Sequence, residues 1–190
     1  MTTIIQKIEA SERQLNEAVQ MWLDVRDPLA LHTVVMASFG ILKDLHSARF
    51  PDQGVDPLRG MLSQLGYREF NRIANFLKHA DRDPDATISV PNDKLNESRI
   101  GICVPILRCL DRKLSSKLGA FHLMSMMIYP EEFQIAPDPD KDVEWGAQYA
   151  ACAARESTDL RRQMVRGYIK IMEAGVLPAD INLRRISSDA

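Results

Sequence analysis

Three cysteines are all that this 190-residue chain contains, and no two of them form a CxxC pair. An odd count without that spacing gives no disulfide framework and no zinc ribbon. It reads Cys103, Cys109 and Cys152 as reduced, mostly buried thiols in a cytoplasm. Glycine-rich phosphate loops are missing, and so is a G-x-S-x-G nucleophile elbow. Aromatic residues make up only 6% of the chain, against nine methionines. That balance suits helix packing better than strands, which favour aromatic and β-branched side chains. Neither sign of charge dominates: the net charge is −2, so no global field draws the chain to nucleic acid or acidic lipid. Long apolar runs are absent as well. The most apolar stretch, Leu29 to Leu42, is interrupted by His32, Thr33, Ser38 and Gly40, which makes it too short and too polar to span a bilayer. The opening "MTTIIQKIEASERQ" lacks the basic and then apolar regions of a signal peptide. These absences imply a cytoplasmic protein with no cofactor and no membrane or nucleic-acid partner.

What is present is a helical pattern. Hydrophobic residues are 45% and charged residues 26% of the chain, ordinary for a globular protein. A chain of this length buries roughly 70% of the surface its unfolded form exposes, enough for a core without a metal or a disulfide. Ile4, Ile8, Ser11, Leu15, Ala18, Trp22 and Val25 recur at spacings of four and three, one seam along a helix. Thr3 with Gln6 is placed for a capping box at its start, and Asp27-Pro28 ends it. The same Asp27 can cap the next helix, with Pro28 in its first turn. From Leu29 to Leu45 that helix is apolar on nearly every side, the mark of a central element. Asp56-Pro57 opens a short helix that stops at Gly66. A further helix is expected from Tyr67 to Ala80, with Phe70, Ile73, Ala74 and Leu77 on its apolar face. Others are expected from Asp93 to Leu114 with a bend at Pro105, over "SKLGAFHLMSMMIYP", and from Val143 to Val176 with a break near Ser157-Thr158. The fold class is therefore an all-α bundle of about six to eight helices with no significant sheet. It is expected as a single domain over residues 1–178, with a loose tail at 179–190.

The densest chemistry lies in "NFLKHADRDPDATI", residues Asn75 to Ile88. Arg72, Asn75 and His79 stand at i, i+3 and i+7, on one helix face. Lys78 and His79 also fall in the last turn, where cations suit the negative end of the helix dipole. Asp81, Asp83 and Asp85 have the opening spacing of a calcium loop, but Ala86 stands where glycine is needed and Asn92 where a bidentate glutamate is needed. Asp138, Asp140 and Asp142 fail in the same way, at Val143 and Tyr149. The four histidines His32, His46, His79 and His122 fall on three predicted helices, without the Glu-x-x-His pairs of di-iron bundles. His32 opens an almost wholly apolar helix, and a buried imidazole needs a hydrogen-bond partner. Asn75, Asp81 or a backbone carbonyl would serve, so His32, Asn75, Lys78, His79 and Asp81 form the candidate polar cluster. Arg155, Arg161, Arg162 and Arg166, interleaved with Glu156 and Asp159, read as a solvated face. Met124, Met126 and Met127 read as core filling.

Three stretches, "ASERQLNEAVQMW…DPLALHTVVMASFGILKDL", "NFLKHADRDPDA" and "AFHLMSMMIYPEEF", resemble an uncharacterised family of bacterial helical proteins. The resemblance covers roughly Ala10 to Phe133 and implies the all-α fold, with no established activity. Phe39 stands where many such proteins carry histidine, which argues against a two-histidine site on the second helix. Arg72-x6-His79 separately resembles the Rx4–6H pattern of the HEPN superfamily, whose all-α, usually dimeric members include metal-independent RNases. That resemblance implies His79 as the base for a ribose 2′-hydroxyl and Arg72 as the group facing the phosphate. The leading expectation is a non-catalytic helical interaction or regulatory protein, with the RNase second and a metal site joining His32, His79 and Asp81 third. The width of the first helix's seam implies a homodimer, and a further protein partner is compatible with it.

Overall fold

The computed structural model describes residues 4–51, 70–79, 81, 83–129, 155 and 157–179. Six helices lie among them: α1 (Lys7–Leu23), α2 (Pro28–Arg49), α3 (Arg72–Lys78), α4 (Asp93–Cys109), α5 (Ser116–Ile128) and α6 (Thr158–Glu173). No strand occurs among the described residues, and the protein is all-α. The helix expected after Asp56-Pro57, the Asp138–Asp142 loop, Cys152 and residues 180–190 lie outside the described residues. The chain divides into two compact units, Met1–Arg112 and Lys113–Ala190.

In the first unit, α1 starts three residues later than the Thr3/Gln6 spacing suggested. Gln6 is the cap, and its N–H donates to the Glu9 carboxylate at 3.0 Å, the reciprocal half of a capping box. The seam buries Ser11, Leu15, Ala18, Val19, Trp22 and Leu23. It meets two neighbours, α2 and α4, so the width that suggested a second copy is used inside the unit. α1 also stops earlier than the proline rule implies. The Arg26 N–H bonds the Met21 carbonyl at 2.9 Å and the Val25 N–H bonds Trp22 at 3.3 Å. This closing turn puts Val25 at φ 54°, a left-handed conformation that β-branched residues rarely adopt. Asp27 then caps α2, accepting from the N–H groups of Leu29 at 3.0 Å and Ala30 at 2.8 Å.

α2 is the centre of this unit and packs on α1, α3 and α4. By length and composition alone it would also pass for a membrane span. Two of its buried polar residues, however, are bonded to other helices of the unit: His32 to α4 and Ser38 to α1. Ser38 Oγ donates to the Ser11 carbonyl at 3.1 Å and lies 2.6 Å from Ser11 Oγ. Small hydroxyls allow α1 and α2 to approach closely while leaving no buried donor unmet. α4 is capped by Asn92, whose side chain accepts from the Leu95 N–H at 2.8 Å. Pro105 sits inside α4 without ending it. The helix closes at Cys109 rather than Leu114, through a turn with Asp111 at φ 59° and Arg112 N–H on the Leu107 carbonyl at 3.4 Å. Arg112 then places Nη2 at 2.7 Å and Nε at 3.0 Å from Glu12 Oε2 on α1, and Arg49 of α2 pairs with Asp111.

In the second unit, α5 packs on α6. α5 is buried along nearly its whole length, with Met124 and Met126 in the core. Tyr168 of α6 donates to Met127 Sδ at 2.9 Å. The break expected near Ser157-Thr158 is the start of α6, where Ser157 accepts from the Leu160 N–H at 3.3 Å. α6 ends at Glu173, with Gly175 at φ 70° supplying the left-handed turn. The segment after it returns to α5: a Cβ on Gly119 would meet the Ala179 backbone, its carbonyl carbon at 3.0 Å.

Three side-chain expectations are corrected. Arg161 and Arg162 are buried, not solvated. Arg161 bonds the Arg155 carbonyl at 3.0 Å and the Thr158 hydroxyl at 2.8 Å, and Arg162 pairs with Asp159 at 3.0 Å. These bonds tie both guanidinium groups to the first turn of their own helix and the chain before it. Cys109 is exposed, because it is the last residue of α4, whereas Cys103 is fully buried. Leu77 is 40% exposed while Phe70, Ile73 and Ala74 are buried, since a helix this short covers only its first turns.

Val25 is 66% exposed, so its side chain contributes little packing to offset its backbone conformation. Val25→Gly is expected to stabilise the protein by about 1 kcal/mol, read as a higher urea midpoint at unchanged m-value.

Candidate functional site

α3 lies across the middle of α2 because of an aromatic step at its start. Phe70 is buried against Phe39 of α2, with ring centroids 4.9 Å apart. On its other partner, the Arg99 guanidinium of α4 stands 3.7 Å from the Phe70 ring centroid, a cation–π contact made inside the protein. Downstream of this step the two helices part enough to leave a groove of about 220 Å³. Met36, Phe39, Gly40 and Lys43 line it from α2, and Asn71, Ala74, Asn75 and Lys78 line it from α3 and its cap. Each set reads i, i+3, i+4, i+7, one face of a helix, and each ends in a lysine.

The candidate residues thus divide. Asn75 and Lys78 are brought together at the groove. Arg72, His79, Asp81 and His32 are not among the residues that line it. Arg72 is exposed on the first residue of α3, and His79 is the half-buried cap that follows its last residue.

His32 is held elsewhere. It is buried, and its Nδ1 lies 2.9 Å from Asn96 Oδ1 on α4. The Asn96 amide group donates in turn to the Pro28 carbonyl at 3.0 Å. With the amide nitrogen committed to Pro28, the oxygen accepts and His32 Nδ1 carries the proton. Nε2 is left as a buried lone pair without a hydrogen-bond partner among the described residues. The partner of His32 is therefore Asn96, and not the Asn75 or Asp81 that its sequence setting suggested. The first turns of α2 face α4, whereas α3 meets α2 further along.

Electrostatics agree with a neutral imidazole. Burial pushes the His32 pKa below its ordinary 6.5, the Asn96 bond opposes this, and the nearby Arg99 charge lowers it further. Arg99 itself is pressed down to about 10 by burial, which leaves it charged at neutral pH. Burial pushes the Cys103 thiol up despite Arg99 one turn away, so it is a packed, unreactive thiol rather than a nucleophile.

Asn96, Glu97 and Arg99, all buried on α4, were missed from the sequence. Glu97 accepts from the Trp22 indole at 3.2 Å. A signal did exist: Asn96, Ile100, Cys103 and Leu107 stand at i, i+4, i+7 and i+11, so Asn96 continues an apolar seam. Among the described residues no group of three or more His, Cys, Asp and Glu side chains is placed to hold a metal ion. Comparison of the chain with protein-family models, curated proteins and solved structures finds no match.

The lowered His32 pKa carries a pH dependence of known sign. The unfolded chain takes up the proton near pH 6.5 and the folded chain only below that. The stability contributed by the neutral imidazole is therefore full above about 6.5 and is lost as the pH falls through the lowered folded value. In urea titrations from about pH 7.5 to 5, His32→Gln is expected to flatten this acid slope relative to wild type.

Proposed function

We propose that this protein is a non-catalytic helical interaction or regulatory protein of the bacterial cytoplasm, working as a homodimer. The observation that carries the reading is the sorting of groups at the α2–α3 groove. Lysine ammonium groups and asparagine carboxamides meet there, which are recognition groups. The pair required for base-assisted RNA cleavage, Arg72 and His79, is left out of its lining. The free, buried thiol of Cys103 fits a reducing compartment. Buried polar groups elsewhere fix helices, as His32 is held by Asn96 and Arg161 by the Arg155 carbonyl.

The dimer reading rests on α6 rather than α1. Leu160, Met164, Gly167 and Ile171 recur at i, i+4, i+7 and i+11 beside the face buried on α5, and Leu160 and Ile171 are each 40% exposed. That is the spacing of a seam for a second helix.

Purified protein incubated with structured and single-stranded RNA in EDTA is expected to show no cleavage above that of Arg72→Ala and His79→Ala. Cleavage that His79→Ala abolishes would replace this reading with the HEPN-like RNase. Light scattering at micromolar concentration is expected to give about twice the 21.5 kDa chain mass, and Leu160→Glu with Ile171→Glu is expected to return the monomer. A wild-type monomer overturns the dimer.

A further inference from the structure

The α2–α3 groove has a property that a mere seam between packed helices does not need. Gly40 sits in the interior of a 22-residue helix, where glycine costs roughly 0.5–1 kcal/mol relative to alanine. A close neighbour would explain such a residue, but among the described residues a Cβ at Gly40 meets nothing within 4 Å; the same holds at Gly101 and Gly167, and of the three Gly40 alone lines the groove. Its backbone is helical, with no positive φ to require glycine. What the missing side chain leaves is space, and that space is the floor of the groove. Around it stand Lys43 and Lys78, the carboxamides of Asn71 and Asn75, and the apolar Met36 and Phe39.

Among the described residues no carboxylate lines the groove, in a chain whose net charge is −2. Asp44, which lies 3.4 Å from the Lys43 ammonium, has a side chain 77% exposed and is not part of the lining. Two cations and two amide donors surround a partly apolar floor. The arrangement matches a compact apolar body that carries one oxyanion, with the ammonium groups and amide N–H groups around the anion and Met36 and Phe39 against the body. At about 220 Å³ the groove is smaller than the roughly 300–1,000 Å³ of sites that enclose drug-sized ligands. Its size suits a small acid.

We propose that the groove over Gly40 is a binding site for a small organic anion, a carboxylate or phosphate monoester on a compact apolar or aromatic body. The proposal deepens the non-catalytic reading and rests on it, since the ligand is bound and not transformed. It makes Lys43 and Lys78 the charge-reading residues and Gly40 the residue that keeps the floor open.

The experiment titrates benzoate, phenyl phosphate and, as the neutral counterpart, benzyl alcohol into the full chain, followed by amide and side-chain carboxamide NMR shifts. Saturable shifts of Gly40, Asn71 and Asn75 with benzoate or phenyl phosphate are expected, weaker at high salt, with benzyl alcohol at least ten-fold poorer. The better of the two acids tells whether the anion read is carboxylate or phosphate. Lys78→Ala is expected to weaken binding about ten-fold, and Gly40→Leu to abolish it. Gly40→Ala, which gains helix propensity without a clash, is expected to fold at least as stably as wild type while binding more weakly. That variant keeps the test intact if the leucine variant does not fold. The proposal is overturned if no probe gives saturable shifts at millimolar concentration, if benzyl alcohol binds as well as the acids, or if Gly40→Ala and Lys78→Ala bind as wild type. RNA cleavage lost in His79→Ala would overturn the non-catalytic reading alone, whatever the outcome at Gly40.

Discussion

The carboxamide of Asn96 is the contact on which the first unit turns. Its oxygen takes the His32 proton and its nitrogen reaches the Pro28 carbonyl, so one side chain of α4 holds the opening turn of α2 at two points. Both groups are buried, and a buried imidazole N–H without an acceptor costs about 1–3 kcal/mol. Asn96 therefore does more than add a bond. It ties the opening turn of α2 to α4 with His32 buried. Further along the same helix Ser38 meets Ser11 on α1, and Met36, Phe39, Gly40 and Lys43 line the groove with α3.

A second constraint comes from the aromatic step. Phe70 lies between Phe39 and the Arg99 guanidinium, so α3 is anchored through the residue just ahead of it. A seven-residue helix is too short to be stable alone. It depends on that anchor, and its last turn, with Leu77 and Lys78, stays exposed. This is why the stretch richest in chemistry presents its carboxamide and its ammonium to the groove while Arg72 and His79 take other directions. Proximity in sequence did not become proximity at a concave surface.

The helix ends share a further device. Val25, Asp111 and Gly175 all adopt positive φ at the closing turns of α1, α4 and α6, and each turn redirects the chain. Only at Gly175 does the residue type announce the conformation. At Val25 and Asp111 backbone hydrogen bonds close the turns, and α1 and α4 end there earlier than their apolar patterns suggested.

Local pattern in the sequence was sufficient for the all-α class, for the seam of α1, for the Asp27 and Pro28 start of α2 and for the break near Ser157-Thr158 at which α6 begins. These are local quantities: a 3.6-residue repeat and a capping side chain act within a few positions of themselves. The partners of buried polar groups were not legible in the same way. His32 was readable as needing a partner, yet which helix would supply it depended on how α2 is rotated against α3 and α4. Arg161 and Arg162 looked solvated because charge composition carries no information on which face is covered. Gly40 was visible only as an interruption of an apolar run. That it opens onto empty space, between two lysines and two carboxamides, is decided by the packing of α3 on α2, a contact between segments about thirty residues apart that no local pattern encodes.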